Sequence, residues 1–338
     1  MKNNITFLEI ENFKSIKKLK IDCKRVNVFI GAPNTGKSNI LEALGLFSYP
    51  YYHSDSKIYD FVRAENMTHL FYELETDKKI FIKCNLKGIS IDYKPDNDQY
   101  NFELTEYQSF LENGKPIGAE THSLWFKNDF SSSIPGTLGN TSFRFYKFKE
   151  FVVFSQSNEN YLLPPYGKNL ENVLLTHKKI SEYIGRIIKE NGKRFAIRHH
   201  ENRIEEQKDK DDLVVAPLPY LLFSDGIKRL MFNLAAIETN VNSTIMFEEP
   251  ESHYFPFYSK YFAERIALNN SNQFFLTTHN PTFLLTLLDK VKKEEIMINY
   301  TTFQNFKTNV KQLSELEKQK LIDYDLDPFF NFKDIFNG

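Results

Sequence analysis

The octapeptide GAPNTGKS at residues 31–38 limits the fold more than any other part of the chain, because it fits the phosphate-loop pattern G-x-x-x-x-G-K-[ST]. The apolar run at residues 26–30 predicts a buried strand before it, and the apolar spacing of residues 40–47 predicts a helix after it. Gly31 and Gly36 let the backbone curl so that its N–H groups point inward, and the helix adds the positive end of its dipole. We therefore expect an α/β fold with an anion site at a strand-to-helix turn.

The chemistry of this loop predicts its ligand. Lys37 is expected to reach the β- and γ-phosphates of a nucleotide, and the Ser38 hydroxyl is expected to ligate Mg²⁺. The chain contains no Asn-Lys-x-Asp motif for reading guanine, which favours ATP over GTP. The expected ATP contacts lie in the loop and the first turn of the helix: Gly31, Asn34, Thr35, Gly36, Lys37, Ser38 and Asn39.

Acidic residues follow a second apolar strand. Residues 245–247 read IMF and are followed by Glu248, Glu249, Pro250 and Glu251. Nucleotide hydrolysis needs one carboxylate in the Mg²⁺ shell and another to orient and deprotonate the attacking water. We assign Glu248 to the metal and Glu249 to the water. The alternative is a solvated acidic loop, which is how most charge runs are used.

Two further loops complete the candidate site. Thr277-Thr278-His279-Asn280 ends the next predicted strand, and a histidine at the carboxyl end of a parallel strand points into the ligand crevice. His279 is expected to contact the γ-phosphate, so the catalytic set is Lys37, Glu249 and His279. Ser224-Asp225-Gly226 opens a predicted helix and is either a second anion site or a simple helix cap.

Taken together, these segments resemble the ATP-binding-cassette (ABC) ATPase superfamily, in the branch that contains chromosome-maintenance, RecF and OLD-type proteins. The resemblance covers about residues 5–50 and 160–285 and rests on the order of the motifs rather than on any one of them. The matching segments are ITFLEIENFKS at 5–15, YGKNL at 166–170, SDG at 224–226 with Arg229 and Leu230, and EEPE at 248–251.

The resemblance implies an ABC-type P-loop NTPase head with a mixed sheet core, an antiparallel β meander and a helical lobe. It also implies a homodimer that closes on two ATP molecules, in which Ser224 and Gly226 of one subunit cap the γ-phosphate held by Lys37 of the other. ATP and Mg²⁺ are the implied cofactors.

Three departures from the family pattern point to slow hydrolysis. Glu248 stands where many relatives have Asp, which lengthens the reach to Mg²⁺. Asp225 stands where transporters have Gly, which adds negative charge near the phosphate. The glutamine loop has no clear match, and Gln156 is the candidate for it.

The remaining pattern predicts one composite domain over residues 1–338. Residues 106–140 have weak periodicity and are expected to form a loop or small insertion, whereas residues 169–190 have helical spacing. Aromatic residues near the end (Phe329, Phe330, Phe332 and Phe336) are expected to pack on the body. The predicted parts are a nucleotide-binding core (1–50 and 215–300), an antiparallel and insert region (66–160), a helical lobe (161–214) and a C-terminal extension (301–338).

Composition narrows the function classes. Lys and Arg total 43 against 44 Asp and Glu, which argues against a histone-like or tail-driven nucleic-acid binder, although the lysines at 14, 17, 18 and 20 form a candidate local patch. Two cysteines fit a reducing compartment, and neither a secretory signal nor an apolar run of about 18 residues is present. We expect a cytoplasmic protein with no membrane partner.

The expected function is an ATPase that couples its nucleotide state to DNA sensing or processing, or to a separate effector such as a nuclease or toxin, in anti-phage defence or repair. The stretch after His279 is too short for the nuclease domain of full OLD-type proteins, so nuclease activity would come from another chain. DNA is a candidate ligand, and an oligomer beyond the dimer stays open. The alternatives are an ATP-gated clamp with little hydrolysis and a transporter subunit, and the SDG and EEPES loops argue against the second.

Overall fold

The computed structural model describes residues 4–110, 116–133, 138–190, 192–210 and 213–323. The strands, in chain order, are β1 (Phe7–Phe13), β2 (Ile16–Asp22), β3 (Val26–Ile30), β4 (Ile80–Cys84), β5 (Lys87–Lys94), β6 (Gln99–Phe110), β7 (Pro116–Phe126), β8 (Ser132–Ser133), β9 (Phe143–Tyr146), β10 (Lys193–Arg198), β11 (Arg203–Lys210), β12 (Leu213–Pro219), β13 (Thr244–Glu248), β14 (Gln273–Thr277), β15 (Ile296–Gln304) and β16 (Lys307–Gln312).

The α-helices, in chain order, are α1 (Lys37–Gly45), α2 (Tyr49–Tyr52), α3 (Ile58–Phe61), α4 (Leu170–Thr176), α5 (Lys178–Glu190), α6 (Asp225–Thr239), α7 (Pro256–Leu268), α8 (Pro281–Lys290) and α9 (Glu315–Asp323). The helical prediction for residues 169–190 is confirmed, with a break at His177 between α4 and α5.

A six-stranded mixed sheet carries the phosphate loop, in the order β16-β15-β3-β14-β13-β9. The strands from β15 to β9 run parallel, so β3, β13 and β14 deliver their following loops to the same edge. Alternate residues of β3 enter two different apolar clusters: Val28 faces the cluster with α4 to α8, and Phe29 faces the cluster with α1 and the antiparallel strands. Burial on both faces explains why these strands read as continuous apolar runs.

A seven-stranded antiparallel sheet, ordered β2-β1-β4-β5-β6-β7-β8, covers α1. The predicted antiparallel meander is thus confirmed, but the loop predicted over residues 106–140 is wrong in part. β6 continues to Phe110, and β7 pairs with it from Pro116 to Phe126. Weak alternation hid these strands because their pairing with each other, rather than a buried face, defines the hairpin.

The predicted division of the chain differs from the observed membership of the sheets at three places. β9 lies in the core sheet rather than in the 66–160 insert, and β15 and β16 carry the core sheet past residue 300. The 161–214 lobe contains α4 and α5 but also a three-stranded sheet, β10-β11-β12. The first two differences arise from long-range strand pairing, which local periodicity does not encode, whereas β10, β11 and β12 pair with their neighbours in sequence. The terminal phenylalanines (329, 330, 332 and 336) lie outside the described residues.

Among the described residues, no helix is both long enough and apolar enough to span a bilayer. Cys23 and Cys84 are free thiols.

Two helical glycines provide a test of how tightly α1 packs on the core sheet. A Cβ added at Gly45 would lie 2.6 Å from Cδ1 of the fully buried Phe145, whereas one at Gly185 in α5 meets only Phe195 Cβ at 3.9 Å. Gly45→Ala should therefore lower the free energy of unfolding by about 1–3 kcal/mol. The matched control, Gly185→Ala, should raise it by about 0.5–1 kcal/mol through helix propensity. Urea denaturation midpoints measure both, and equal effects would contradict the packing assigned to α1.

Candidate active site

The phosphate loop has the backbone geometry that its sequence predicts. β3 ends at Ile30 and α1 begins at Lys37. Gly36 has a φ of 94°, and a Cβ there would lie 1.9 Å from Thr308 Oγ1, so only glycine fits. The Lys37 ammonium donates to the carbonyls of Gly31 at 2.9 Å and Ala32 at 2.8 Å, which holds it inside the loop.

Burial lowers the pKa of Lys37 to about 8, although the carboxylates of Glu249 and Glu248 act in the opposite direction. The loop thus holds a cation that has lost much of its hydration. A polyphosphate bound to the loop N–H groups would supply compensating negative charge. The environment is that of an anion site rather than of a structural ion pair.

Ser38 and Glu248 meet across the sheet edge. The Ser38 hydroxyl donates a short hydrogen bond to Glu248 Oε1, and Glu248 is the last residue of β13. A hydroxyl and a carboxylate oxygen in contact are the hard ligands that Mg²⁺ prefers, and Mg²⁺ usually takes its remaining ligands from water and phosphate. These two residues therefore fit the metal role predicted for them. The described residues contain no cluster of three or more His, Cys, Asp or Glu side chains suited to a metal.

Arg63 is a site residue that the sequence did not predict. Its Nη2 lies 3.1 Å from Glu248 Oε1, and its Nε donates to Glu42 Oε1 at 2.7 Å. Glu42 is fully buried in α1 and also accepts from Lys14 Nζ at 2.5 Å. Arg63 follows α3, and no motif marks that segment, so only the fold reveals the contact.

Glu249 and His279 come together because β13 and β14 are parallel neighbours. Glu248 is in register with Thr277, and the Glu249 N–H donates to Thr277 Oγ1 at 3.1 Å. His279 Nε2 then lies 3.4 Å from Glu249 Oε1. Burial, together with the Lys37 charge, lowers the pKa of His279, which favours a neutral imidazole at neutral pH.

Glu251 links the acidic loop to the histidine loop. Its Oε1 accepts a short hydrogen bond from Thr278, and its Oε2 is buried without a hydrogen-bond partner. Burial raises the pKa of Glu251 to about 7. The sequence grouped Glu251 with the acidic loop but gave it no role, and its contact ties Thr278 to the turn that carries Glu249.

The Ser224-Asp225-Gly226 turn begins α6 and lies beside another loop. Asp225 contacts Arg229 Nε at 2.9 Å and lies 3.4 Å from His253 Nδ1; although burial acts in the opposite direction, the hydrogen bond and charge of Arg229 lower the pKa of Asp225. A Cβ on Gly226 would lie 2.8 Å from the His253 carbonyl oxygen. Because its charge is balanced within the turn, Asp225 repels a phosphate less than its sequence position suggests.

Gln156 does not occupy the end of a core strand. It lies in an exposed loop, where its amide donates to Asn202 Oδ1 at 3.4 Å. Lys147 instead follows β9 directly, at the edge of the sheet that carries the acidic loop. Burial lowers the pKa of Lys147 against the opposing charges of Glu42 and Glu248. Lys147, rather than Gln156, is therefore the residue that follows β9 at the site.

Comparison with known proteins identifies a family and a relative. A family model described as an AAA ATPase domain matches residues 1–216. A Helicobacter pylori protein named ATP/GTP phosphatase is 25% identical over 352 residues, covering 88% of this chain and 90% of that protein.

Solved structures with a similar fold include the SMC head. The SMC head bound to the C-winged helix domain of ScpA aligns with a TM-score of 0.51 and 16% identity, over 94% of this chain and 99% of that chain. The SMC head domain from Thermotoga maritima aligns with a TM-score of 0.44 and 13% identity, over 92% and 99%. The alignment with the ScpA-bound SMC head confirms the predicted ABC-type head fold, whereas the OLD-type assignment within it stays a prediction.

The Lys37 environment predicts a pH-dependent affinity. With a pKa of about 8, Lys37 is mostly neutral at pH 9, so ATP binding must take up a proton there. Affinity should fall by roughly tenfold between pH 8 and 9.5, and titration calorimetry in buffers of different ionisation enthalpy should detect proton uptake. Lys37→Met should bind weakly and lose this slope. A slope that persists in Lys37→Met would assign it to another group, such as Lys147, and contradict the prediction.

Proposed function

The chain belongs to the AAA ATPase domain family, and from that membership we propose an ATP-hydrolysing enzyme whose two copies close around two ATP molecules. The observation that carries the proposal is the convergence of Lys37, Ser38, Glu248, Glu249 and His279 at one edge of the core sheet. Three separate stretches of sequence supply these residues, and each provides a different requirement of phosphoryl transfer.

Each side chain has a distinct task in this proposal. The loop N–H groups and Lys37 hold the polyphosphate, while Ser38 and Glu248 would ligate Mg²⁺, which neutralises charge on the phosphate oxygens when bound. Glu249 accepts the proton of the attacking water. His279, at 3.4 Å from Glu249, orients that carboxylate and reaches the γ-phosphate.

A second copy supplies the remaining contacts. Among the described residues, the turn at 224–226 hydrogen-bonds and packs with α6 and His253, and no contact with its own phosphate loop is seen. An N-terminal turn of a 15-residue helix is a suitable anion cap. We place Ser224 and Gly226 against the γ-phosphate held by the partner's Lys37, as the resemblance implies.

An exposed apolar surface borders this turn and supports the dimer. Val152 is 63% exposed and Leu222 is 63% exposed, with Val153 and Leu221 beside them. The two segments are adjacent because Phe154 packs on Tyr220 with ring centroids 5.3 Å apart. A patch of this kind marks an interaction surface. A second copy that caps ATP with Ser224 would cover it.

Control of a separate effector is the output that we propose. α6 begins at the Ser224 turn and packs on α5. α5 also forms with β10 the wall of a cavity of about 840 Å³, which is lined by apolar side chains such as Phe195 and Ile197 and by lysines. A shift of α6 on dimer closure would therefore be transmitted to this cavity, which is a suitable docking place for an effector such as a nuclease or toxin.

DNA binding has less support at the predicted lysine patch. Lys18 pairs with Glu11 at 2.7 Å, Lys20 pairs with Glu9 at 2.7 Å, and Lys14 is bound to buried Glu42. Three of the four lysines are thus compensated within the chain. A nucleic-acid backbone would have to displace those carboxylates, so we favour the effector over DNA as the direct partner, in defence or repair.

Glu249→Gln tests the catalytic and assembly proposals together. The amide keeps the size of the side chain but cannot accept the proton, so phosphate release should fall by about 10²- to 10⁴-fold. ATP should stay bound, and the variant should sediment as a dimer with Mg-ATP while wild type turns ATP over. The measurements are phosphate release and solution mass, with Lys37→Met as the control that binds ATP weakly.

The alternative, an ATP-gated clamp with little hydrolysis, gives a different result. In that case wild type and Glu249→Gln would assemble alike on ATP and neither would release phosphate. Monomers under every condition, with normal phosphate release, would contradict the dimer.

Leu222→Asp tests the surface next to the Ser224 turn. A buried carboxylate without a partner opposes association, so ATP-dependent dimerisation should weaken by at least tenfold while the monomer still binds ATP. Leu268→Asp is the matched control, because Leu268 is 70% exposed at the end of α7, near the amino-terminal edge of the sheet. Equal loss of dimer in both variants would contradict this interface.

A further inference from the structure

The α5–β10 cavity has an excess of positive charge. Among the described residues that line it, Lys178, Lys189, Lys193 and Arg194 are basic and Glu182 is acidic. The whole chain, in contrast, has 43 basic side chains against 44 acidic ones. The excess is therefore local to this cavity, and a partner with complementary potential would carry negative charge.

The lysines at the two ends of α5 are not neutralised within the chain. Lys193 forms an ion pair with Glu206. Lys178 and Lys189 are exposed, and neither forms an ion pair with any other described residue. A carboxylate from a partner would thus meet two ammonium groups without displacing an internal acid.

The spacing of the lining residues on α5 matches one stripe of the helix. Lys178, Glu182, Gly185 and Lys189 line the cavity at positions i, i+4, i+7 and i+11. The buried isoleucines of α5 occupy its other side. At 1.5 Å of rise per residue, the two lysines are roughly 16 Å apart along the axis, which is about three helical turns. A second helix lying along this stripe would present its own side chains at the same repeat.

The middle of the stripe is open and apolar. A Cβ added at Gly185 would meet only Phe195 Cβ, at 3.9 Å, and one added at Gly192 would meet nothing within 4 Å. Phe195 and Ile197 are partly buried, and Leu175 is 41% exposed. Without a side chain at Gly185, another backbone can approach α5 closely. The cavity therefore offers apolar contacts near the centre of α5 and positive charge at both of its ends.

We infer that the α5–β10 cavity receives an amphipathic helix with an acidic stripe, supplied by the effector chain. The apolar face of that helix covers Gly185 and Phe195. Its acidic residues, spaced about three turns apart, pair with Lys178 and Lys189. The inference rests on the proposed function, because it specifies the chemistry of the effector that the cavity is proposed to receive.

A nucleic acid fits the same lining less well. Its phosphate backbone would pair with the lysines, but it would leave the apolar side chains of Leu175, Phe195 and Ile197 without contacts. An acidic amphipathic helix uses both parts of the lining, so the observations favour a protein segment.

A synthetic peptide tests the cavity on the full-length chain. The probe is a fluorescently labelled helix of about 18 residues, with Leu at helical spacing on one face and Glu on the other. It should bind with saturation in fluorescence anisotropy. A peptide of the same length with prolines at its centre should bind roughly tenfold more weakly or less, because it cannot form the helix. A peptide with Lys in place of Glu should not bind, and an oligo-dT strand should not compete.

Gly185→Leu separates docking from folding. Leucine favours a helix more than glycine does, so the midpoint of urea denaturation should stay the same or rise. Its side chain would fill the open middle of the stripe, so probe affinity should fall by roughly tenfold or more. The matched control is Gly139→Leu, because Gly139 is exposed in a loop where an added Cβ meets nothing within 4 Å. Gly139→Leu should bind the probe as wild type does.

Lys189→Glu tests the charge contribution. It replaces an attraction by a repulsion at one end of the stripe, so probe affinity should fall by about tenfold and the remaining binding should depend less on salt. Lys292→Glu is the matched control, because the Lys292 side chain is 72% exposed after α8 and does not line the cavity. It should leave probe affinity unchanged.

The outcomes distinguish this inference from the proposed function. Equal binding of the helical and the proline-containing peptides, competition by oligo-dT, or equal effects of a variant and its matched control would overturn the docking of an acidic helix. The proposed function is measured without any peptide, as Mg-ATP binding and phosphate release by the wild type. Both of these activities should be unchanged in Gly185→Leu, and their absence from the wild type would count against the proposed function whatever the peptide does.

Discussion

The parallel pairing of β14 with β3 and with β13 is the constraint on which the site depends. Thr277 is in register with Phe29 on one side and with Glu248 on the other. That register brings the loops after all three strands to one edge, and burial on both faces keeps it fixed. A register shift of one residue would turn every side chain of the shifted strand to the opposite face and separate Ser38 from Glu248.

Charge compensation is the second constraint, and it is centred on Glu42. This carboxylate is fully buried in α1 and is bound by Lys14 from the N-terminal hairpin and by Arg63 after α3. Arg63 also reaches Glu248, so one guanidinium links a structural acid to a proposed metal ligand. A cation arriving at Glu248 would compete with Arg63, and the segment after α3 would respond to nucleotide. The site is in this way connected to the antiparallel sheet through a small number of strong contacts.

The sequence was informative where function depends on contiguous residues. The phosphate loop, the acidic loop and the histidine loop each follow a buried strand, and the structure brings Lys37, Ser38, Glu248, Glu249 and His279 together as expected. The sequence was uninformative where two contacting residues lie far apart in the chain. Thr308 contacts the phosphate loop across more than 270 residues of sequence, and Arg63 and Lys147 lie in segments with no motif. Periodicity describes one strand at a time, so it could not assign β9 or β15 to the core sheet.

The strands that surround the candidate site lie on both sides of β3, which carries the phosphate loop. The loops after β13 and β14 carry the residues proposed to act at the γ-phosphate, while Thr308 of the β15–β16 hairpin hydrogen-bonds to the phosphate loop from the other side. Because Ser224 and Gly226 make no contact with the phosphate loop among the described residues of the same chain, the proposed function leaves the γ-phosphate of one copy to be capped by a second. In the proposed dimer, occupancy would be converted into assembly, and hydrolysis at Glu249 would remove the group that joins the copies. Since α6 starts at the capping turn and packs on α5, each cycle of assembly would move the wall of the α5–β10 cavity, which is where an effector would detect it.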